Sequence, residues 1–372
     1  MRVLIFTSSG GTAHDAAAYA LRDWLALLRP EVEVQVEHVL ESGSAVYRGG
    51  VSLYNWIQRR QPWLHQIYWR LMELEDLVKP GTLLFGRTNV IRLLRRFRPD
   101  VLISTHPHIN RGHFDLAKRV LGPNVRCITS NTELAGGFGF SRNWICSAAD
   151  LHWTLTQEVA QEVARPHLLL RPYPAVRIRH LGPLLYPAFH RAGPAPAELM
   201  GRPCLVLGTG ANGANNHIRL LEQLLPLADR LEVVVLCGRR LAVQAAVQAW
   251  GRRHPHMRVQ ALGFQGPEQM AELYRRAWAL VARPGARTAT EALWMACPLI
   301  FNHYGTTMPQ ELLAPRYFQA RGLEVSIYQP QQLAEVVGDW LEQPEHYRVL
   351  RARYQRQRFQ VDPAQLLAEL LD

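Results

Sequence analysis

Seven short, largely apolar runs, at residues 3–6, 101–104, 125–129, 204–207, 232–237, 278–282 and 299–301, are each closed by glycine, proline or polar residues. A strand covered on both faces reads as such a run, so these are expected to be buried parallel strands. Between them lie segments of helical period, at 16–28, 90–97 and 218–224, and at Met270, Leu273, Tyr274 and Ala277 behind a Pro267 placed for a first helical turn. Alternating strand and helix predicts a doubly wound α/β architecture. With 48% hydrophobic residues in a chain of 372, there is material for sizeable cores, and the length favours two domains over one. A disordered or low-complexity chain is excluded.

Residues 192–203 hold Pro194, Pro196 and Pro203 with Gly193 and Gly201, and a new strand and a second glycine-rich turn follow. The expected division is therefore a first domain at 1–190, a linker at 191–203, a second domain at 204–345 and C-terminal helices at 346–372 packing back towards the first. Each half opens with a strand running into a glycine-rich loop and a helix, VLIFTSSGGTAH and then LVLGTGANGANN. The closing segment places Asp362 and Pro363 before Leu366, Leu367, Leu370 and Leu371, a capped helix with a leucine stripe to bury.

In the second half, Gly208, Thr209, Gly210 and Gly213 form a turn whose backbone amides can approach a diphosphate. The spacing is not that of dinucleotide enzymes, and a tight structural turn explains it equally well. A stronger pattern is Arg283-Pro284-Gly285-Ala286-Arg287-Thr288, with Glu291 one turn further on. A strand ends at Gly285 and a helix starts near Arg287, so first-turn amides and the Thr288 hydroxyl suit phosphate, and Glu291 suits a pair of ribose hydroxyls. Gln310 and Glu311 could read sugar hydroxyls. The plainer alternatives are that Glu291 supports the helix dipole and that Gln310 and Glu311 cap another helix.

In the first half, His14 stands at the strand-to-helix turn after Gly10 and Gly11, facing any cleft beyond the strand ends. An imidazole suits proton abstraction from a hydroxyl, and the alternative is a histidine that merely closes a turn. His106 and His108, two apart without a carboxylate nearby, make a poor metal site, and no metal is expected. Trp56, Arg59, Arg60, Trp63, Tyr68, Trp69 and Arg70, with four arginines at 92–98, concentrate cations and aromatic rings. This mixture suits an anionic membrane interface, and an ordinary solvated face is the alternative. The net charge of +11 points to an anionic partner, but no nucleic-acid motif accompanies it. The five cysteines lie far apart and suggest a reducing compartment; no run reaches the length of a membrane span, and the first residues are too short on apolar side chains for a signal sequence.

The pattern G-x-x-T-x-x-E-A, then P-x-I and Q-E, preceded by Leu262-Gly263-Phe264, resembles the donor-nucleotide half of GT-B glycosyltransferases of family 28. That family includes monogalactosyldiacylglycerol synthases, processive diacylglycerol glucosyltransferases and the lipid II-forming N-acetylglucosaminyltransferase. The resemblance implies two Rossmann-like domains facing a central cleft. It implies that Glu291 binds ribose; that Gly285, Ala286, Arg287 and Thr288, with Gly11, Gly208, Thr209 and Gly210, serve the diphosphate; that Gly263 and Phe264 hold uracil; and that Gln310 and Glu311 hold the sugar. Arg239 or Arg287 would balance leaving-group charge, and His14 would be the base of an inverting, metal-independent transfer from a UDP-hexose with no further cofactor. The loop reads Gly11-Thr12-Ala13-His14 where the family has three glycines before the histidine. Three first-half stretches resemble the lipid-glycosyl branch and imply Tyr54, Trp56, Arg59, Arg60, Trp63, His106 and Trp144 as acceptor or membrane residues. The branch usually carries Thr-Asp where this chain has Ser130-Asn131, with Glu133 the nearest carboxylate. The expected partners are diacylglycerol or a related lipid and an anionic membrane surface, the expected location cytoplasmic and peripheral. Rival readings are a soluble or natural-product acceptor, a non-hydrolysing UDP-sugar 2-epimerase, and a nucleotide-binding membrane-surface adaptor without activity.

Overall fold

The computed structural model describes the chain except for residues 10–11, 44, 46–47, 51, 54–55, 57–85, 167–172, 209–215, 306 and 372. It divides into two compact units, one of Met1–Pro187, Met308–Leu313 and Gln360–Asp372, the other of Ala188–Thr307 and Ala314–Phe359.

The first unit is built on six parallel strands, β1 (Arg2–Thr7), β2 (Glu33–His38), β3 (Val101–Ser104), β4 (Arg126–Ser130), β5 (Leu151–Thr154) and β6 (Ile178–His180), in the order β2-β1-β3-β4-β5-β6. Val3 pairs with Val34 on one side and Val101 on the other, so β1 is central and its Val3, Leu4, Ile5 and Phe6 are fully buried. Helix α1 (Thr12–Leu28) follows β1 and buries Leu21, Trp24 and Leu25 at helical spacing. Helix α2 (Arg87–Phe97) buries Val90, Leu94 and Phe97 and stops where Arg98 turns left-handed at φ 49°, its N–H bonded to the Leu94 carbonyl, ahead of Pro99.

The second unit repeats the plan with β7 (Cys204–Leu207), β8 (Glu232–Leu236), β9 (Arg258–Leu262), β10 (Ala279–Ala282), β11 (Leu299–Asn302) and β12 (Val325–Ile327), all parallel, in the order β12-β11-β10-β7-β8-β9. Its helices include α3 (His217–Leu224), α4 (Pro267–Arg276), with Pro267 in its first turn, and α5 (Ala286–Trp294). In each sheet the strand order reverses once, between β1 and β3 and between β7 and β10. Connections leave such a pair in opposite directions, so a crevice opens at the carboxyl ends of those strands, and ligands of doubly wound sheets bind there.

The closing helix α6 (Pro363–Leu371) belongs to the first unit. The Asp362 carboxylate accepts a bond from the Ala364 N–H at 2.9 Å, and Leu366, Leu367, Leu370 and Leu371 join Val3, Ile5, Leu21, Trp24 and Leu25 in one cluster. Each buried leucine contributes roughly 2 kcal/mol, so this stripe is a large share of what holds the unit's face closed. Arg126 donates to the Glu369 carbonyl at 3.3 Å. All five cysteines are buried and free. Among the described residues, no helix is long and apolar enough to cross a membrane.

Candidate functional site

In the first unit, three loops meet at the crevice between β1 and β3, and His14 comes from the first of them. Carboxylates anchor that loop on both sides. Glu41 Oε1 accepts from the Ser9 N–H at 2.7 Å and from both serine hydroxyls, Ser8 at 3.1 Å and Ser9 at 2.6 Å. Asp15 Oδ1 accepts from the Thr7 hydroxyl at 2.9 Å and lies 3.1 Å from His38 Nε2, and that bond raises the His38 pKa. His14 is thereby held at the start of α1, partly buried, with its Nδ1 3.3 Å from the Thr132 hydroxyl. Its ring meets His106 edge-on at 4.5 Å between centroids and Trp144 at 5.8 Å. Burial brings the His14 pKa down to about 4, against the opposing pull of the Thr105 carbonyl and Asp15. The imidazole is therefore neutral near pH 7 and offers an unprotonated nitrogen. His106, buried at the end of β3, accepts a bond from the His108 N–H on its Nδ1 at 3.2 Å.

The turn after β4 brings Thr132 and Glu133 to the same end of the sheet. Asn131 Oδ1 accepts the Glu133 N–H at 2.7 Å and sets the turn. Burial raises the Glu133 carboxyl to about 7, with the Trp144 indole acting in the opposite sense. Further along, Gly139 stands at φ 99°, and a methyl group there would strike the Pro309 carbonyl oxygen. Residues Met308–Leu313, which carry Gln310 and Glu311, thus sit against the 136–140 loop within the first unit. Gly139→Ala is expected to cost about 1–3 kcal/mol through the strained φ and that clash, read as a lower urea midpoint by tryptophan fluorescence. One oxygen of Glu311, Oε2, accepts from the Met308 N–H at 2.8 Å, which is the helix-capping arrangement.

In the second unit, β7 ends at Gly208, whose N–H donates to the Val281 carbonyl at 2.8 Å and whose missing side chain leaves β10 close alongside, with Ala282 Cβ 3.3 Å from where a methyl would sit. On the other side of the strand-order reversal, Gly285 starts α5 without a side-chain cap and with open space around its Cα. The first-turn amides of Ala286, Arg287 and Thr288 precede the first intrahelical bond, from Ala289 N to Gly285 O at 3.1 Å, and are positioned to receive an anion. Glu291, 4% exposed, takes Arg287 Nε on Oε1 at 2.7 Å and the Tyr274 hydroxyl of α4 on Oε2 at 3.1 Å. Burial and this carboxylate push the Tyr274 hydroxyl well above its ordinary pKa, so it remains a donor that fixes Glu291. Each carboxylate oxygen keeps a second lone pair for another donor. Two guanidiniums gather at the same end of the sheet. Arg283 Nη1 donates to the Tyr304 carbonyl at 3.3 Å, Asn216 Nδ2 donates to the same oxygen at 3.2 Å, and Arg219 meets the Tyr304 hydroxyl. Arg239 lies over the 61%-exposed ring of Phe264 at 4.5 Å, next to Gly263.

His14, His106 and Trp144 of the expected residues therefore share one pocket in the first unit. Gly208, Gly285, Ala286, Arg287, Thr288 and Glu291 flank the reversal in the second, with Gly263, Phe264 and Arg239 grouped by β9. Gly11, Thr209, Gly210, Tyr54, Arg59, Arg60 and Trp63 lie outside the described residues. Trp56 is described and 49% exposed, close to a 50%-exposed Leu53. Sequence reasoning missed Asp15, Glu41, Thr132, Tyr274 and Tyr304. Asp15 adjoins His14, but the others carry no local signal, because their partners are distant in the chain.

No protein-family profile matches the chain. Curated relatives include the processive diacylglycerol beta-glucosyltransferases of Bacillus pumilus and Bacillus subtilis, each 23% identical over 266 and 258 residues respectively, or 70% and 68% of this chain. The matched stretch spans just under two thirds of those relatives, 65% and 63%. Among solved structures, MurG of Acinetobacter baumannii aligns over 100% of this chain and 98% of its own, with TM-score 0.61 and 16% identity. The UDP-GlcNAc 2-epimerase of Neisseria meningitidis aligns over 100% and 99%, with TM-score 0.60 and 14% identity. The chain has the GT-B fold expected from its sequence, and its resemblance to the diacylglycerol glucosyltransferases of family 28 extends over most of its length.

Proposed function

We propose that the chain transfers a hexose from a UDP-sugar to the hydroxyl of a diacylglycerol-type lipid, with inversion and without a metal. The observation that carries this reading is the uncapped start of α5 beside a buried carboxylate held by Arg287 and Tyr274, in a chain similar to diacylglycerol glucosyltransferases. In this reading the α5 amides and the Thr288 hydroxyl take the diphosphate, and the spare lone pairs of Glu291 accept the two ribose hydroxyls. The exposed Phe264 ring and the Gly263 backbone face the uracil, while Gln310 and Glu311 serve the sugar. Arg219 and Arg283 add positive charge as UDP departs. His14, neutral at working pH, receives the proton of the acceptor hydroxyl as its oxygen attacks the anomeric carbon.

The lipid half of the reading is supported by the relatives' names and by the exposed Leu53 and Trp56 in a segment rich in arginine and tryptophan. Such side chains suit the headgroup depth of an anionic bilayer, where each nearby cation contributes about 1 kcal/mol. A peripheral place on the cytoplasmic membrane face follows from the same reading.

The test is incubation with radiolabelled UDP-glucose, UDP-galactose or UDP-N-acetylglucosamine and anionic liposomes, with and without diacylglycerol. Label entering the organic phase only when diacylglycerol is present is the expected result, and the sugar that labels names the donor. UDP binding without lipid label would reject the lipid acceptor, and acceptor-free conversion of UDP-N-acetylglucosamine would identify a 2-epimerase instead.

A further inference from the structure

We propose that Glu133 is a second acid–base residue of the acceptor pocket, the carboxylate on which the proton released by the acceptor hydroxyl comes to rest. The inference deepens the transfer reading above and rests on it.

Placement is the first argument. β1, β3 and β4 are neighbours in the first sheet, so the loops that follow them converge, bringing His14, His106 and the Thr132–Glu133 pair to one crevice. Thr132 contacts His14 directly, and its chain neighbour Glu133 lies against Trp144, which also packs on His14. The Asn131 turn holds the Glu133 backbone in place.

The second argument is that no cation, among the described residues, balances this carboxylate. Glu291, 4% exposed, is by contrast paired with Arg287 at 2.7 Å. Among the described residues Glu133 forms no ion pair. Trp144 Nε1 beside it is buried without a hydrogen-bond partner, an indole N–H that a carboxylate can use. The other titratable groups of this crevice are His14, which Thr132 contacts, and His106, which packs on His14; Asp15, beyond His14, is engaged by Thr7 and His38.

The third argument is chemical. The acceptor O–H bond breaks, its oxygen forms the bond to the anomeric carbon, and the bond from that carbon to the phosphate oxygen breaks as UDP leaves with the electron pair. His14, at about 4, is a weak base and holds a proton poorly at neutral pH. Glu133, at about 7, is matched to working pH, so the proton rests there as a neutral carboxyl and passes to water before the next turnover. Turnover then requires ionised Glu133 and rises with pH through about 7, whereas His14 acting alone would place that limb near 4.

The experiment compares wild type, Glu133→Gln and Glu133→Asp across the range from about pH 4 to 9, using the liposome assay and calorimetric UDP binding, with circular dichroism to establish folding. Glu133→Gln is expected to lose about 100-fold or more in kcat with KM for the UDP-sugar unchanged, and to lose the limb near 7. Glu133→Asp is expected to recover part of the rate. A wild-type limb near 4, or a limb near 7 that survives in Glu133→Gln, overturns the proposal. An infrared titration of the protonated-carboxyl band reads Glu133 without turnover: a band missing in Glu133→Gln and titrating near 7 supports the assignment, and titration in the ordinary carboxylate range overturns it. If wild type labels no acceptor, the transfer reading fails separately.

Discussion

Replacing His14 by alanine is expected to lower turnover by about 100- to 10,000-fold, the usual contribution of a general base, while UDP binds as in wild type. The separation follows from where the groups sit. His14 belongs to the first unit and contacts Thr132, His106 and Trp144, whereas the uncapped α5 start and Glu291 belong to the second. His14 is only partly buried and its polar contacts are with the Thr132 hydroxyl and the Thr105 carbonyl, so the truncation leaves the fold in place. The readout is kcat in the liposome assay beside calorimetric UDP affinity. Unchanged turnover removes His14 from proton transfer, and weakened UDP binding with normal kcat moves it to the donor site.

Glu291→Ala is expected to weaken UDP binding by about 10- to 100-fold, because hydrogen bonds to a charged acceptor are worth roughly 1.5–3 kcal/mol and 1.4 kcal/mol is tenfold in affinity. It should also lower thermal stability, since the buried Tyr274 hydroxyl loses its acceptor and the Arg287 ion pair is broken. Glu291→Gln separates the two effects. The amide oxygen can still accept from Tyr274, so stability is largely kept, but the charge-assisted bonds to ribose are lost. A UDP dissociation constant equal to wild type in both variants would remove Glu291 from the nucleotide site and leave it as the anchor between α4 and α5.

The strands read from sequence are the covered ones. Runs at 3–6, 101–104, 125–129 and 204–207 became β1, β3, β4 and β7, and those at 232–237, 278–282 and 299–301 became β8, β10 and β11. Five strands went unread, and four of them, β2, β6, β9 and β12, are the sheet edges. An edge strand faces water along one side and part of its surface, so it carries polar residues, as in EVQVEH of β2 and RVQAL of β9. A search for continuous apolar runs passes over them. The helix starts were more legible, because Pro267 and the Asp362-Pro363 pair are local signals.

The candidate site divides along the same line. The two glycine-bearing turns, His14, the helix after Gly285 and Glu291 one turn along it are matters of spacing within a few residues, and backbone geometry converts such spacing into position directly. The sequence by itself therefore determined the doubly wound class and the two loops that matter. Strand order decided the rest. Thr132 lies 118 residues from His14 and Glu41 lies 32 from Ser9, yet β2, β1, β3 and β4 pair side by side and bring their following loops together. Desolvation followed from that convergence, lowering His14 to about 4 and raising Glu133 to about 7. Burial is a property of what surrounds a group, so only the tertiary structure could set which of the two is the stronger base.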